Sequence, residues 1–333
     1  NLGSTTINAQ GRVGLLANSK NTMTTTGGAF GGGLVGAGAT IVVNNLENNT
    51  KATANRASIS AIGNQSIDMV KTDGSGATEA IKGVAIAATS KDKLDTTIGT
   101  AAVGAAGLSI TLAVNTFANN TEASILDTAV NANSESAYIR AFNDSEIDTK
   151  AGSLSGGLIG VGGAIDITNL KNATSAIVNS SNLGNPLAGK STVTGGKTVA
   201  IDSVTLRDIT SDTLAAGAGV GSVQGAVSLI NIGSGLSSDA SKAVNTSNTD
   251  APGNVNTTQK TIDTQLSELD GMGKDSQGKS NISTKKNVSN VFSTSAPTTK
   301  GTTSYVAGFV TGATQLNLTA YEKQVVEYVN LMH

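Results

Sequence analysis

One sequence pattern constrains this chain more than any other: a Gly/Ala block, a β-branched run, then Asn and Thr, repeated along the chain. The first copy, Gly27 to Thr50, reads GGAFGGGLVGAGATIVVNNLENNT. The second is AAVGAAGLSITLAVNTFANNT, Ala101 to Thr121, and the third is SGGLIGVGGAIDITNLKNAT, Ser155 to Thr174. A weaker fourth runs from Gly217 to Gly235 and a fainter fifth from Val306 to Thr319. Aligned on their glycines, Thr50, Thr121 and Thr174 share one position, separated by 71 residues (50 to 121) and 53 residues (121 to 174). Gly163, Gly225 and Gly312 align further on. Repeats of this length describe an array of stacked units rather than one site, and the unequal steps imply a common unit with insertions.

Composition narrows the unit. The chain holds 40 glycines in 333 residues, well above the usual ~7%, with 3% aromatic and 14% charged residues. A core without Trp lacks its largest filler, and small side chains suit a narrow interior where backbones approach closely. Glycine at this density costs a helix about 1 kcal/mol per residue relative to Ala, so the blocks read as strands facing a tight part of the core. Between them, short period-two segments recur. Ala137–Phe142 places Ala, Ile and Ala on one face and Tyr, Arg and Phe on the other; Ser66–Val70 and Val199–Val204 repeat the theme. These segments read as strands of about four to six residues, with Thr22–Thr26 a polar turn or edge and Asn, Asp, Ser and Gly at the corners.

The expected architecture is all-β: a right-handed parallel β-helix (β-solenoid) with a short helical insertion. Residues 1–244 supply coils. Residues 245–300 form a polar loop insertion, in which Thr257–Asp270 carries Ile262, Leu266 and Leu269 at helical spacing. Residues 301–319 return to a coil, and 320–333 read as a helical cap or a cut end. Because loops leaving a solenoid often bind, Ile262, Leu266 and Leu269 are the candidate contact surface; docking back onto the solenoid is the plainer alternative.

Several chemistries fit poorly. The net charge of −2 gives no basic field for nucleic acid or anionic membrane. Zero Cys removes disulfides and thiolate metal sites, and the single His, His333, leaves nucleophilic triads without a base. Asp144, Glu146, Asp148 and Asp166 are the carboxylates that polysaccharide cleavage would need, but they fall in separated turns and read as a solvated face. Gly162–Asp166 matches a calcium β-roll imperfectly, and Asp73–Gly76 has too few acidic ligands for a calcium loop. No catalytic, cofactor or metal residue is therefore expected. No leader opens the chain, which reads as a segment beginning in mid-pattern. No apolar run approaches the ~20 residues of a membrane span, so no membrane insertion is expected of this segment.

The Gly-rich block, the Val43-Asn44, Val114-Asn115 and Ile167-Thr168 pairs, and Asn48-Asn49-Thr50, Asn119-Asn120-Thr121 and Asn172-Ala173-Thr174 together carry a family resemblance. They resemble the passenger repeats of very large type V-secreted adhesins, the filamentous-haemagglutinin-like and autotransporter proteins of diderm bacteria. The resemblance covers roughly residues 27–240, with a weaker return after 303. It implies a right-handed parallel β-helix on the bacterial surface, held to the outer membrane by parts not present here, and a stalk and adhesive role in cell–cell or host attachment. Its partners would be surface glycans or proteins, or further copies of itself. A polysaccharide-active β-helix enzyme and a self-assembling extracellular fibre subunit are the alternatives. Asn48, Asn119 and Asn172 each start an N-x-[ST] tripeptide, readable as glycan acceptors or, preferably, as corner residues whose amides satisfy backbone groups.

Overall fold

Strands β3 (Val13–Gly32) and β4 (Val35–Asn55) leave the chain almost no room to turn between them, and this long hairpin-like excursion recurs in every unit. The computed structural model describes residues 1–181, 190–233, 302–306, 309–311 and 315–332, the last three as strand placement. Among them there is no helix.

Every unit pairs in parallel with the next, position for position. One sheet, here the front, stacks β1 (Leu2–Gly3), β4, β8 (Ala106–Leu126), β11 (Ile159–Asn179) and β14 (Gly221–Ile232), with β15 (Thr302–Val306) also on β11. The back sheet stacks β3, β7 (Thr78–Val103), β10 (Ser136–Gly156), β13 (Thr198–Ala218) and β17 (Gln315–Met332). A narrow side sheet stacks β2 (Thr6–Ala9), β5 (Ser58–Ala61), β9 (Ala129–Asn131), β12 (Thr192–Thr194) and β16 (Phe309–Thr311). The chain runs back, front, side and again back, one register step on. This arrangement is consistent with a parallel β-helix. At ~3.3 Å per residue, a 21-residue strand spans roughly 70 Å, so each unit is a flat blade closed by the side sheet at one end and a tight apex at the other.

The register explains the unequal repeat. Thr50 pairs with Thr121, Thr121 with Thr174, and Gly163 with Gly225. The 53-residue unit is bare. The 71-residue unit adds an antiparallel hairpin of β6 (Ser66–Val70) and the start of β7, inserted at the side-sheet corner. That hairpin covers the outer face of the back sheet, where Ile67, Met69 and Ile81 pack on Ala85, Ala87 and Tyr138.

Several expectations need correcting. Ser66–Val70 is a five-residue strand as expected, but the strands of the front and back sheets are mostly 20 to 26 residues long, with β14 at 12 and β17 at 18, rather than four to six. Thr22–Thr26 lies inside β3, and the Asn-Asn-Thr segments lie inside β4 and β8 rather than at corners. Asn, Ser and Thr mark corners when their side chains serve local backbone; here stacked neighbours satisfy them and the strand continues. Residues 315–332 form a strand paired with β13 from Thr198↔Gln315 to Ala215↔Met332, not a helical cap. The β-branched Val325, Val326 and Val329 suit that ladder. The fifth copy is a misalignment, because Val306 pairs with Val178 at the far end of the front sheet. The proposed helical insertion at 245–300, with Ile262, Leu266 and Leu269, lies outside the described residues, as do Gly312 and His333.

Candidate contact surfaces

Along each blade the inward residues alternate between apolar layers and polar seams. Nearest the side sheet, Ile59, Ile86, Ile125, Ile139, Val193 and Ile201 belong to one buried cluster. Leu94, Phe117, Ile147, Leu170 and Ile209 form a second layer, and Ile98, Ala113 and Ala151 a third. The seams between them hold the Asn residues of the repeat.

Asn48, Asn119 and Asn172 occupy the first seam. Asn119 donates to Asp92 Oδ2 (2.9 Å) and Ser145 Oγ (3.2 Å); Asn172 donates to Asn143 Oδ1 (2.9 Å) and Ser145 Oγ (2.8 Å). Asn48 donates to Ser90 Oγ (2.9 Å) and Asp92 Oδ1 (3.2 Å). Asn119 and Asn172 are buried in mid-strand, where their amides bond side chains of neighbouring strands. An amide engaged there is not available to a transferase in the folded chain.

The second seam centres on Asn115, which is fully buried. Its Oδ1 accepts from Asn44 Nδ2 (2.8 Å) and Thr96 Oγ1 (3.1 Å); its Nδ2 donates to Thr149 Oγ1 (2.9 Å) and Asp166 Oδ1 (3.3 Å). Asp166 is fully buried too, and burial pushes its carboxyl above the ordinary carboxylate range. Hydrogen bonds from Ser211, Thr168 and Asn115 oppose that shift. Asp166 thus faces the interior, away from the other carboxylates weighed with it.

Asp144, Glu146 and Asp148 sit in a row along β10, in register with Lys91, Lys93 and Asp95 of β7. Lys93 Nζ lies 2.6 Å from Glu146 and 3.4 Å from Asp95, and Lys150 Nζ lies 2.7 Å from Asp148. The Glu146 hydrogen bond holds the Lys93 ammonium above its usual value, while burial raises Asp144. The row mixes opposite-charge pairs, Asp144 with Lys91 and Glu146 with Lys93, with like-charge neighbours, Asp148 with Asp95 and Glu146 with Asp208. Asp73 accepts from the Ser75 backbone N–H at 2.9 Å, closing a turn. Among the described residues no three metal-ligating side chains gather.

The feature that sequence reasoning missed lies on the outer surface near the apex. On the front sheet, five consecutive outward columns on β4, β8, β11 and β14 hold only Val, Ala, Leu, Ile and Gly. One column is Ile41, Leu112, Ile165 and Val227; the next is Val43, Val114, Ile167 and Leu229. The following column is Asn45, Thr116, Asn169 and Asn231, so the boundary is one column wide. With ~6.6 Å between columns and ~4.8 Å between strands, the front band covers about 600 Å². Ile41 is 66% exposed, Val43 69% and Val223 70%.

The band continues around the apex. The turns there are Gly33-Leu34, Gly104-Ala105, Gly157-Leu158 and Gly219-Val220, and Leu34, Leu158 and Val220 are strongly exposed, Val220 at 92%. On the back sheet three outward columns are apolar, among them Phe30, Ala101, Leu154 and Ala216, beside a trough floored by stacked Gly28, Gly99 and Gly152. The next column inland is Thr26, Thr97, Lys150 and Asp212.

Inside the apex the polarity reverses. Thr100 donates to Thr40 (2.7 Å), Thr111 to Thr100 (2.9 Å) and Gln224 to Ser155 (2.6 Å), while Ser109 and Ser153 share a hydrogen bond of 2.6 Å. The two sheets meet so closely that a Cβ on Gly36 would lie 2.3 Å from the Val103 carbonyl oxygen. Large side chains have no room inside and stand outside. The signal was present in the sequence: Val35, Ala37, Ala39, Ile41 and Val43 are alternate residues of the first repeat, but their glycine, threonine and valine neighbours hide the period. No helix among the described residues is long and apolar enough to cross a membrane.

The chain matches no protein-family model, no curated protein and no solved structure.

Proposed function

We propose that the chain is a length of right-handed parallel β-helix serving as the stalk and adhesive passenger segment of a bacterial cell-surface adhesin. The observation that carries this reading is the repetition of outward chemistry from coil to coil. The Asn45, Thr116, Asn169 and Asn231 column offers amides and a hydroxyl every ~4.8 Å along the stack. Such a flank suits many weak contacts with surface glycans or proteins, whose sum replaces one deep site. Stacked units also stabilise one another nearest-neighbour fashion, which suits an extended stalk outside the cell. The resemblance of the Asn-Asn-Thr segments to type V-secreted passengers supports the same reading. For the carboxylate row, the Lys93–Glu146 and Lys150–Asp148 pairs favour a solvated ladder over a polysaccharide-cleaving acid pair. We assign no catalytic role to it.

The test is binding of the full chain to a glycan array and to whole bacterial cells, beside a variant lacking 250–300 and a variant with Asn45 and Asn169 replaced by Asp. The flank reading expects binding to survive the deletion and to weaken in the double substitution. Binding lost with the deletion moves the contact to the insertion that carries Ile262, Leu266 and Leu269. No binding by the intact chain removes the adhesive half of the proposal.

A further inference from the structure

We propose that the apex of the blade seats in the hydrocarbon layer of a lipid membrane, entering obliquely with its front sheet turned toward the lipid. This goes beyond the adhesive reading and does not depend on it. It also departs from the expectation that this segment avoids the membrane. That expectation searched for a contiguous apolar run, whereas here the apolar residues occupy alternate positions.

The argument is one of coverage. Apolar side chains face outward on the front sheet, at the turns and on the back sheet, as with Ile41, Leu158 and Leu154, which are 66%, 64% and 51% exposed. Each two-residue turn opens on a Gly (Gly33, Gly104, Gly157 and Gly219), as turns in water do, but its second position holds Leu34, Ala105, Leu158 and Val220 where Asn, Asp or Ser would be usual. A second copy, itself a flat rigid sheet, could cover the front band. That would bury about 600 Å² on each partner, the low end of the range for stable interfaces, and would leave the turns and the back columns in water. A fluid hydrocarbon phase covers all three surfaces at once.

The interior agrees. Strands that cross a bilayer alternate apolar-out with polar-in over about 9–11 residues. From Val35 to Val43 this chain is apolar outward, at Val35, Ala37, Ala39, Ile41 and Val43, and small or polar inward at Gly36, Gly38 and Thr40 before Val42 joins the third apolar layer; beyond Asn45 the outward residues turn polar. The inward hydroxyls are bonded to one another, so immersion leaves them satisfied. Throughout the band β8 and β11 are paired along both edges, as are β7 and β10, so their backbone groups are satisfied as well. The band extends about 30 Å from the apex on the front and about 20 Å on the back, against roughly 15 Å for one leaflet's hydrocarbon. The unequal lengths are what require the oblique entry. No charged side chain faces outward in the band, Asp166 between Ile165 and Ile167 being turned inward, and the net charge of −2 offers no attraction to anionic headgroups, so neutral lipid suffices.

The chain lacks Trp, so a single introduced Trp reports depth without background. Full-chain L158W and S175W, on the apex turn and on the outer face far along the strand that follows it, are mixed with phosphatidylcholine vesicles carrying bromine on their acyl chains. L158W should shift to the blue and be quenched several-fold more strongly than S175W, with little change on adding anionic lipid or salt. The double variant L158D/V220D, altered only at exposed positions, should keep the far-UV circular dichroism of the parent. Its vesicle-bound fraction should fall at least about tenfold in flotation. A blue shift of L158W that needs no lipid and grows with protein concentration would mean that a second copy covers the apex, and would overturn the proposal. So would equal access of an aqueous quencher to L158W with and without vesicles.

Discussion

Replacing Asn115 by Asp would place a second carboxylate in the seam beside Asp166 without changing side-chain size. The Asn115 amide nitrogen donates to Asp166 Oδ1 at 3.3 Å and both residues are fully buried, so the substitution exchanges an attractive contact for a repulsive one. With an effective dielectric of about 20, two unit charges at that separation repel by roughly 5 kcal/mol. The chain can avoid this by holding one proton between the carboxyls. Relative to an unfolded carboxyl titrating near 3.9, that costs about 1.4 kcal/mol per pH unit, or about 4 kcal/mol at pH 7. The two routes agree, so N115D should lose about 4 kcal/mol at neutral pH. The sign follows from linkage. The shared proton has a folded-state pKa above its unfolded value, so the penalty is absent below about pH 4 and grows as pH rises toward 7. Urea melts of the parent and N115D at pH 7, 5.5 and 4 should show a gap that closes on acidification. The Thr96 hydroxyl and the Asn44 amide can still donate to the new group, and Thr149, which accepts from Asn115, can rotate its hydroxyl to donate instead, so little loss should remain at pH 4. A gap that stays constant with pH would refute the juxtaposition of Asn115 and Asp166, and with it the in-register stacking of β8 on β11.

Two further substitutions probe the frame. Arg140 is buried and bonds Asp202 Oδ2 through Nε (3.1 Å) and Nη2 (2.8 Å), with Glu79 Oε1 at 2.7 Å and the Val70 carbonyl at 2.6 Å. D202A should cost about 3 kcal/mol in urea denaturation, and R140M/D202L should recover most of that, because the loss comes from stranding a buried charge. Ala at Gly36 would meet the backbone oxygens of Val103 at 2.3 Å and Gly31 at 2.9 Å, whereas Ala at Gly28 meets only the Gly99 oxygen at 3.5 Å. G36A should therefore cost about 1–3 kcal/mol and G28A should stay within about 0.5 kcal/mol, which thermal melts of the two variants would separate.

The repeat was legible in the sequence because equivalent positions carry equivalent residues. Thr50, Thr121 and Thr174 lie in one row of the front sheet, as the alignment places them. The two faces of Ala137–Phe142 were legible for the same reason: Ala137, Ile139 and Ala141 point into the main core and Tyr138 packs under the β6 hairpin. Strand length was not legible. Asn115 and Thr121 look like strand ends when considered alone, since their usual partners are nearby backbone. Their real partners are Thr96 and Thr149 in one case and Asn143 in the other, contributed by strands distant in the chain. Only the register of the stack supplies those partners, and no local window contains it. Residues 320–332 fail in the same way, because pairing with β13 decides their conformation over any local helical preference.

The same reasoning accounts for the division of each blade into a shaft and an apex. In the shaft the sheets stand far enough apart for Leu94, Phe117 and Ile147 to fill the space, and outward positions are free to be polar. Toward the apex the sheets converge until Gly31 would, with a Cβ, lie 2.0 Å from the Ala37 carbonyl oxygen. Convergence explains why the inward residues there are small. It does not explain why the outward ones are Val, Ile and Leu, because Thr or Ser would serve a strand in water equally well. Four strands place apolar side chains outward over the same five columns, so the outer band requires a cause of its own, outside the packing of the blade. Contact with an apolar phase is such a cause, and it acts on the one part of each unit whose interior can do without large side chains.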